Sequence, residues 1–205
     1  MITAIRATSR TLADFLQAEF EADPDLGGAF SSGGTMRVLL NTPAEMTGSR
    51  SGLSVWLYRV TRDAATLNRP PERISPTQVR PAPLPVRLHY LVAPITGSSA
   101  KDAPETEQVI LGKALQALND HPVLSGTDLR DDFTGTSTVI TSRFESLTLD
   151  DLARIWDALT TSYRTSVSYE VTVVDIEAPI RSQVAPMVRL PVLGPALIVG
   201  EGGTA

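Results

Sequence analysis

The sequence contains no cysteine, only two histidines, and two lysines among its 18 basic residues. Without cysteine there is no disulfide framework, no thiol nucleophile and no zinc site built on thiolate ligands. His89 and His121 alone are too few for a histidine-rich metal centre. Long hydrophobic runs are missing as well. The opening residues Met1-Ile2-Thr3-Ala4-Ile5-Arg6 hold no apolar segment of signal-peptide length. The longest uncharged stretch near the C-terminus, residues 190–200, is broken by Pro191, Gly194 and Pro195. It falls short of the roughly 20 residues a bilayer span needs. The expectation is a chain made in the cytoplasm, with no direct membrane insertion.

What is present is 205 residues, 42% of them hydrophobic and 20% charged. That suits one domain with an apolar core and leaves room for an appended arm, and it excludes a wholly disordered chain. The other 16 basic residues are all arginine. Codon composition explains such a bias as readily as ion pairs between subunits, where a planar guanidinium is favoured. The distribution of charge says more: residues 1–49 carry a net −3, residues 50–100 a net +5 and residues 101–205 a net −7. Blocks of opposite sign fit head-to-tail contacts between copies as well as they fit an anionic ligand. Arg59, Arg62, Arg69 and Arg73 of the central block are therefore candidate interface residues. They are scattered and lack a regular aromatic partner, so nucleic acid is not an expected partner.

Periodicity predicts a helix over residues 3–22, with Ile5, Leu12, Phe15, Leu16 and Phe20 on one face, ended by Asp23-Pro24 and Gly27-Gly28. Met36, Val38 and Leu40 alternate as in a strand. Residues 53–60 are apolar on both alternating faces, which predicts a strand covered at least partly on both sides. Six prolines in residues 69–85 favour an extended connection, either a solvated loop or a strap across a neighbour. A strand follows at 86–93. A helix opens at Pro104-Glu105 with Leu111, Ala114, Leu115 and Leu118 as its buried stripe, and His121-Pro122 closes it. A strand is expected around 138–144. Thr148 and Asp151 form a capping-box-like start for a helix burying Leu149, Leu152, Ile155, Trp156 and Leu159. Val167, Tyr169, Val171 and Val173 alternate in a last strand.

The fold class expected is α/β (α+β), a single domain with a mixed central sheet flanked by about three helices. From Glu177 onward, Pro179, Pro186, Pro191 and Pro195 punctuate short apolar pieces. The division expected is a compact domain over residues 1–180 and an extended C-terminal arm over 181–205. Apolar residues there, Met187, Val188, Leu190 and Leu193, are candidate contacts to a partner surface, on this domain or on a neighbouring subunit.

Motifs for chemistry are missing. Gly48-Ser49-Arg50-Ser51-Gly52 carries arginine where a nucleophile elbow needs serine. Lys101 precedes Asp102 and Lys113 sits mid-helix, so neither closes a phosphate loop, and no Gly-x-Gly-x-x-Gly follows a strand. Asp150-Asp151 falls in a first helical turn, where the positive dipole end favours acids. Asp131-Asp132 reads as a solvated turn, and both histidines read as structural or surface residues. No catalytic residue, metal site or cofactor is expected.

Four segments in order resemble one family. They are Leu53-Ser54-Val55-Trp56-Leu57-Tyr58-Arg59-Val60; Pro83-Leu84-Pro85-Val86-Arg87-Leu88-His89-Tyr90-Leu91-Val92; residues 107–124 with Leu111-Gly112-Lys113-Ala114-Leu115 and Asn119-Asp120-His121-Pro122-Val123-Leu124; and residues 147–176 with Ile155-Trp156-Asp157-Ala158-Leu159, Tyr163-Arg164 and Ser168-Tyr169-Glu170-Val171. Together they resemble the Pvc16 N-terminal domain family over about residues 1–180. That resemblance implies a tail-terminator-like fold and a cap role in an extracellular contractile injection system, a phage-tail-like particle. It further implies a homohexameric ring on an inner tube protein and a sheath protein, assembled in the bacterial cytoplasm, in a particle either released or retained. The alternatives are a tail-completion protein of a true phage, or a ligand-binding or enzymatic domain.

Overall fold

The computed structural model describes residues 2–66, 68–75, 78–97, 103–176 and 181–182. The helices are α1 (Ala4–Glu21), α2 (Gly27–Phe30), α3 (Pro43–Met46), α4 (Ala103–Asp120) and α5 (Leu149–Ala158). The strands are β1 (Met36–Leu39), β2 (Ser51–Arg62), β3 (Glu72–Ser75), β4 (Gln78–Arg80), β5 (Leu84–Ile95), β6 (Val123–Ser125), β7 (Val139–Glu145), β8 (Val167–Ile176) and β9 (Arg181–Ser182). Three long helices thus match the expected number, and α2 and α3 add one turn each.

Six strands form one mixed sheet in the order β1-β2-β5-β8-β7-β6. β1 is parallel to β2 and every other pairing in it is antiparallel. The two long strands β2 and β5 sit inside this sheet, which explains their nearly unbroken apolar sequences. Alternate residues of β5 point to opposite faces. Val86, Leu88, Tyr90 and Val92 join the main core beneath α1 and α4, whereas Leu91, Ala93 and Ile95 join a second core with Met46 of α3 and Trp156 of α5. The molecule is therefore a sheet between two helical layers, with α1 and α4 on its first face and α3 and α5 on its second.

Small residues let α1 lie close to that first face: Ala4, Ala7, Thr8, Ser9, Thr11 and Ala13 are all buried. The buried hydroxyls of Thr8 and Ser9 donate back to the carbonyls of Ala4 and Ile5 at 2.9 and 3.0 Å. Ser9 also meets the Tyr90 hydroxyl at 2.8 Å. Burial pushes the Tyr90 phenol above its ordinary pKa. Thr42 and Glu45 cap α3 reciprocally, with Pro43 in its first turn.

Two expectations are corrected. The proline-rich connection is not a plain extended strap: β3 and β4 pair antiparallel within it. Its prolines flank those two strands and stay out of both, as they must where ladder N–H groups are needed. β4 in turn pairs with β9, making a separate three-stranded sheet in the order β3-β4-β9. The first two residues of the C-terminal arm are thus tied to this chain, and Met187, Val188, Leu190 and Leu193 lie outside the described residues. Leu149, expected to be buried, is 68% exposed. It opens α5, and the covered stripe of that helix begins one turn later.

Candidate functional site

The second face of the sheet is covered only in part. Trp156 is 2% exposed and seals one half, its indole N–H donating to Ser166 Oγ at 3.1 Å. The other half carries polar side chains in cross-strand rows. Register places Arg59, His89, Glu170 and Arg143 side by side on β2, β5, β8 and β7. The neighbouring row holds Ser168 beside Glu145. A bulge between Leu57 and Arg59 brings both Tyr58 and Arg59 onto this face.

Hydrogen bonds converge on one carboxylate oxygen, Glu145 Oε2. Ser168 Oγ donates to it at 2.7 Å, Tyr58 O–H at 3.3 Å, and His89 Nδ1 lies 3.1 Å away. An ionised carboxylate only accepts, so His89 carries its proton on Nδ1. Its Nε2 lies 2.9 Å from Thr61 Oγ1 and accepts from that hydroxyl when the ring is neutral. Burial works against the charge on Glu145, but the bonds from Ser168 and His89 outweigh it and hold the carboxyl below its ordinary pKa. Burial raises the Tyr58 phenol. Alongside, Arg87 bridges two acids: its Nη2 lies 2.7 Å from Asp63 Oδ1 and its Nη1 2.6 Å from Glu170 Oε1. Hydrogen bonds from Thr66 and Arg87 keep the Asp63 carboxyl below its usual range.

This cluster could in principle serve catalysis or bind a metal, and its geometry argues against both. Thr61, His89 and Glu145 repeat the hydroxyl–imidazole–carboxylate order of acyl-transfer relays. Yet Thr61 sits within a strand rather than on the sharp turn that lifts a nucleophile clear of its sheet. His89, Glu145 and Glu170 bring one potential ligand atom each within 4.8 Å of the others. Both His89 nitrogens, however, are already bonded, and Glu170 holds the Arg87 guanidinium. A cation would have to displace another cation there. The network satisfies the polar groups that an incompletely covered sheet face would otherwise leave unpaired.

The four candidate arginines do not gather in one place. Arg59 stands at the edge of the polar face, where its charge adds a little to the Thr148 hydrogen bonds that hold the Asp151 carboxyl of α5 below its ordinary pKa. Arg62 pairs in register with Val86 and so points to the first face. Arg69 lies in the connection after β2, and Arg73 opposes Val79 in the small sheet. All four are exposed. Asp150 and Asp151 lie in the first turn of α5, and Thr148 Oγ1 accepts from the Asp151 N–H at 3.2 Å, as the capping pattern predicts. Asp131 and Asp132 do more than form a turn, because Arg6 binds them at 2.6 and 3.5 Å. The sequence did carry a trace of the polar face. Along β5, Arg87 and His89 occupy the same alternating positions as Leu91, Ala93 and Ile95, so one face changes from polar to apolar midway.

The model of the Pvc16 N-terminal domain matches residues 7–189 of this chain. The chain belongs to that family. Among solved structures, this Pvc16 N-terminal domain is similar to the sheath/tube terminator of the PVC extracellular contractile injection system in its extended state. That match has a TM-score of 0.56 and 15% identity, over 100% of this chain and 65% of that one. It is also similar to the anti-feeding prophage cap, a tube terminating cap, with a TM-score of 0.54 and 17% identity over 93% of this chain and 60% of that one. At such identities the likeness is one of fold, and the chain spans less than two thirds of either neighbour. No curated protein matches it. No helix among the described residues is long and apolar enough to cross a membrane.

Proposed function

We propose that this chain is a structural cap, a tail terminator, of a phage-tail-like contractile injection system. It ends polymerisation at the distal end of the inner tube and couples tube to sheath. The observation that carries this reading is the likeness of the whole chain to a sheath/tube terminator and of nearly all of it to a tube terminating cap, within one family. The absence of recognisable catalytic motifs is compatible with it, since a terminator needs shape and contacts rather than a reacting group.

Under this reading the copies form a homohexameric ring assembled in the bacterial cytoplasm. Heterologous contacts close into such a ring when the rotation per subunit divides the circle. The opposite charge blocks of residues 50–100 and 101–205 supply complementary surfaces, with Arg59, Arg62, Arg69 and Arg73 on the basic side. Residues 181–205 act as an arm on the domain of residues 1–180, and Met187, Val188, Leu190 and Leu193 contact a neighbouring subunit. The test is deletion of the gene in a cell that makes the particle. Tubes and sheaths of unregulated length support the reading, and particles of normal length and end structure overturn it.

A further inference from the structure

Two recesses adjoin on the outer side of α1 and share Arg10 and Asp14. One, of about 380 Å³, is bordered by Arg6, Arg130 and Asp131, and the other, of about 240 Å³, by Ala13, Val38, Leu39 and Leu40 at the end of the edge strand β1. The result is a groove with a charged end and an apolar end. Its charges are not equally free. Arg6 forks onto Asp131 at 2.6 and 3.0 Å. Arg130 donates to the carbonyls of Thr127 and Leu129 at 2.6 and 3.1 Å and approaches Asp14 at 3.8 Å. Arg10, at the junction of the two halves, has no hydrogen bond or ion pair among the described residues.

The complement of such a groove is an apolar side chain next to a free carboxylate. The first turn of α5 presents that pair. Leu149 is 68% exposed although it heads an apolar stripe. Asp150 is exposed and has no partner among the described residues, whereas the Asp151 carboxylate is held by Thr148 at 2.6 Å.

We propose that the Arg10 groove of one subunit receives the first turn of α5 from a second copy. Leu149 seats over Leu39 and Leu40, and Asp150 pairs with Arg10. The proposal rests on the ring reading in one respect, the presence of a second copy. Within its own subunit this turn does not fill the groove, since Leu149 is 68% exposed and Asp150 has no partner among the described residues. Groove and turn are different patches of the chain, which makes the contact heterologous and lets it propagate head to tail. An exposed ion pair contributes little affinity, so the leucine supplies the burial and Arg10 the register.

The lack of cysteine makes the test direct. Leu40→Cys and Leu149→Cys are placed in separate full-length chains, mixed, oxidised and run on a non-reducing gel. A disulfide-linked dimer is expected from the mixture and from neither variant alone, and a ladder of linked species from the double variant. The control pair, Leu40→Cys with Val109→Cys at an exposed position of α4, should link about tenfold less. Arg10→Asp should lower linkage about tenfold, and Asp150→Arg in the partner chain should restore it. Linkage no greater than the control, in both purified chain and assembled particles, would overturn the proposal, as would Leu149→Cys linking to itself. Linkage together with particles of normal length and end structure after deletion of the gene would leave this contact standing and remove the cap reading instead.

Discussion

His89 Nδ1 and Glu145 Oε2 meet at 3.1 Å although β8 lies between their strands. The contact spans the polar half of the second sheet face, and Ser168 of the intervening strand donates to the same oxygen. Removing the carboxylate takes the shared acceptor from His89 and Ser168, while Tyr58 and Ser168 keep a 3.0 Å hydroxyl contact with each other. Glu145→Ala should therefore cost about 1–3 kcal/mol. The midpoint of urea unfolding should fall with its slope unchanged. An unchanged midpoint would mean that water serves these groups equally well.

Acid should destabilise the domain through two carboxyls. Glu145 and Asp63 both titrate below their ordinary values in the folded chain. The folded state thus binds fewer protons than the unfolded state across that interval. Their contribution is complete above the unfolded values near 4 and is lost as pH falls through the folded ones. Melting temperature should stay level from pH 7 to about 5 and drop below about 4. Asp63→Asn should melt lower at pH 7 and show a shallower acid slope.

Gly52 has no room for a side chain. Its φ is +134°, and a Cβ there would fall 2.0 Å from the Arg37 carbonyl oxygen on β1. Gly52→Ala must push β1 away from β2 as well as strain the backbone, at a cost of at least about 1–3 kcal/mol. Hydrogen exchange should report earlier opening at Met36–Leu39 than at the centre of β5. Equal protection of β1 in both proteins would contradict this account of the β1–β2 pairing.

Assembly and folding should respond to different residues. Arg62 and Arg73 are exposed and have no partner among the described residues. Reversing either charge should leave stability within about 0.5 kcal/mol. The same variants, and a chain truncated after Ser182, should fail to join particles while still melting cooperatively. Parallel loss of melting temperature and incorporation would remove the interface role.

Much of the fold was legible in the sequence because burial imposes a period. α1, α4 and the strands β2, β5 and β8 follow their predicted patterns to within a few residues. The polar face was harder to foresee, since Asp63, Arg87, Glu145 and Glu170 come together only through the order β2-β5-β8-β7. Nothing local connects Glu145 with His89, which is 56 residues away. The β3–β4 hairpin was hidden by its prolines, whose number signals extended chain and whose spacing alone leaves room for strands. Leu149 misled for another reason: at the end of a helix, side-chain period no longer decides what lies opposite.

The most direct test of the cap assignment is to label a tagged full-length chain with gold on particles from its native host and image them in negative stain. Gold at a single end of each rod is the predicted result. Gold distributed along the rods would make the chain a sheath or tube component, and rods carrying none would contradict the assignment outright.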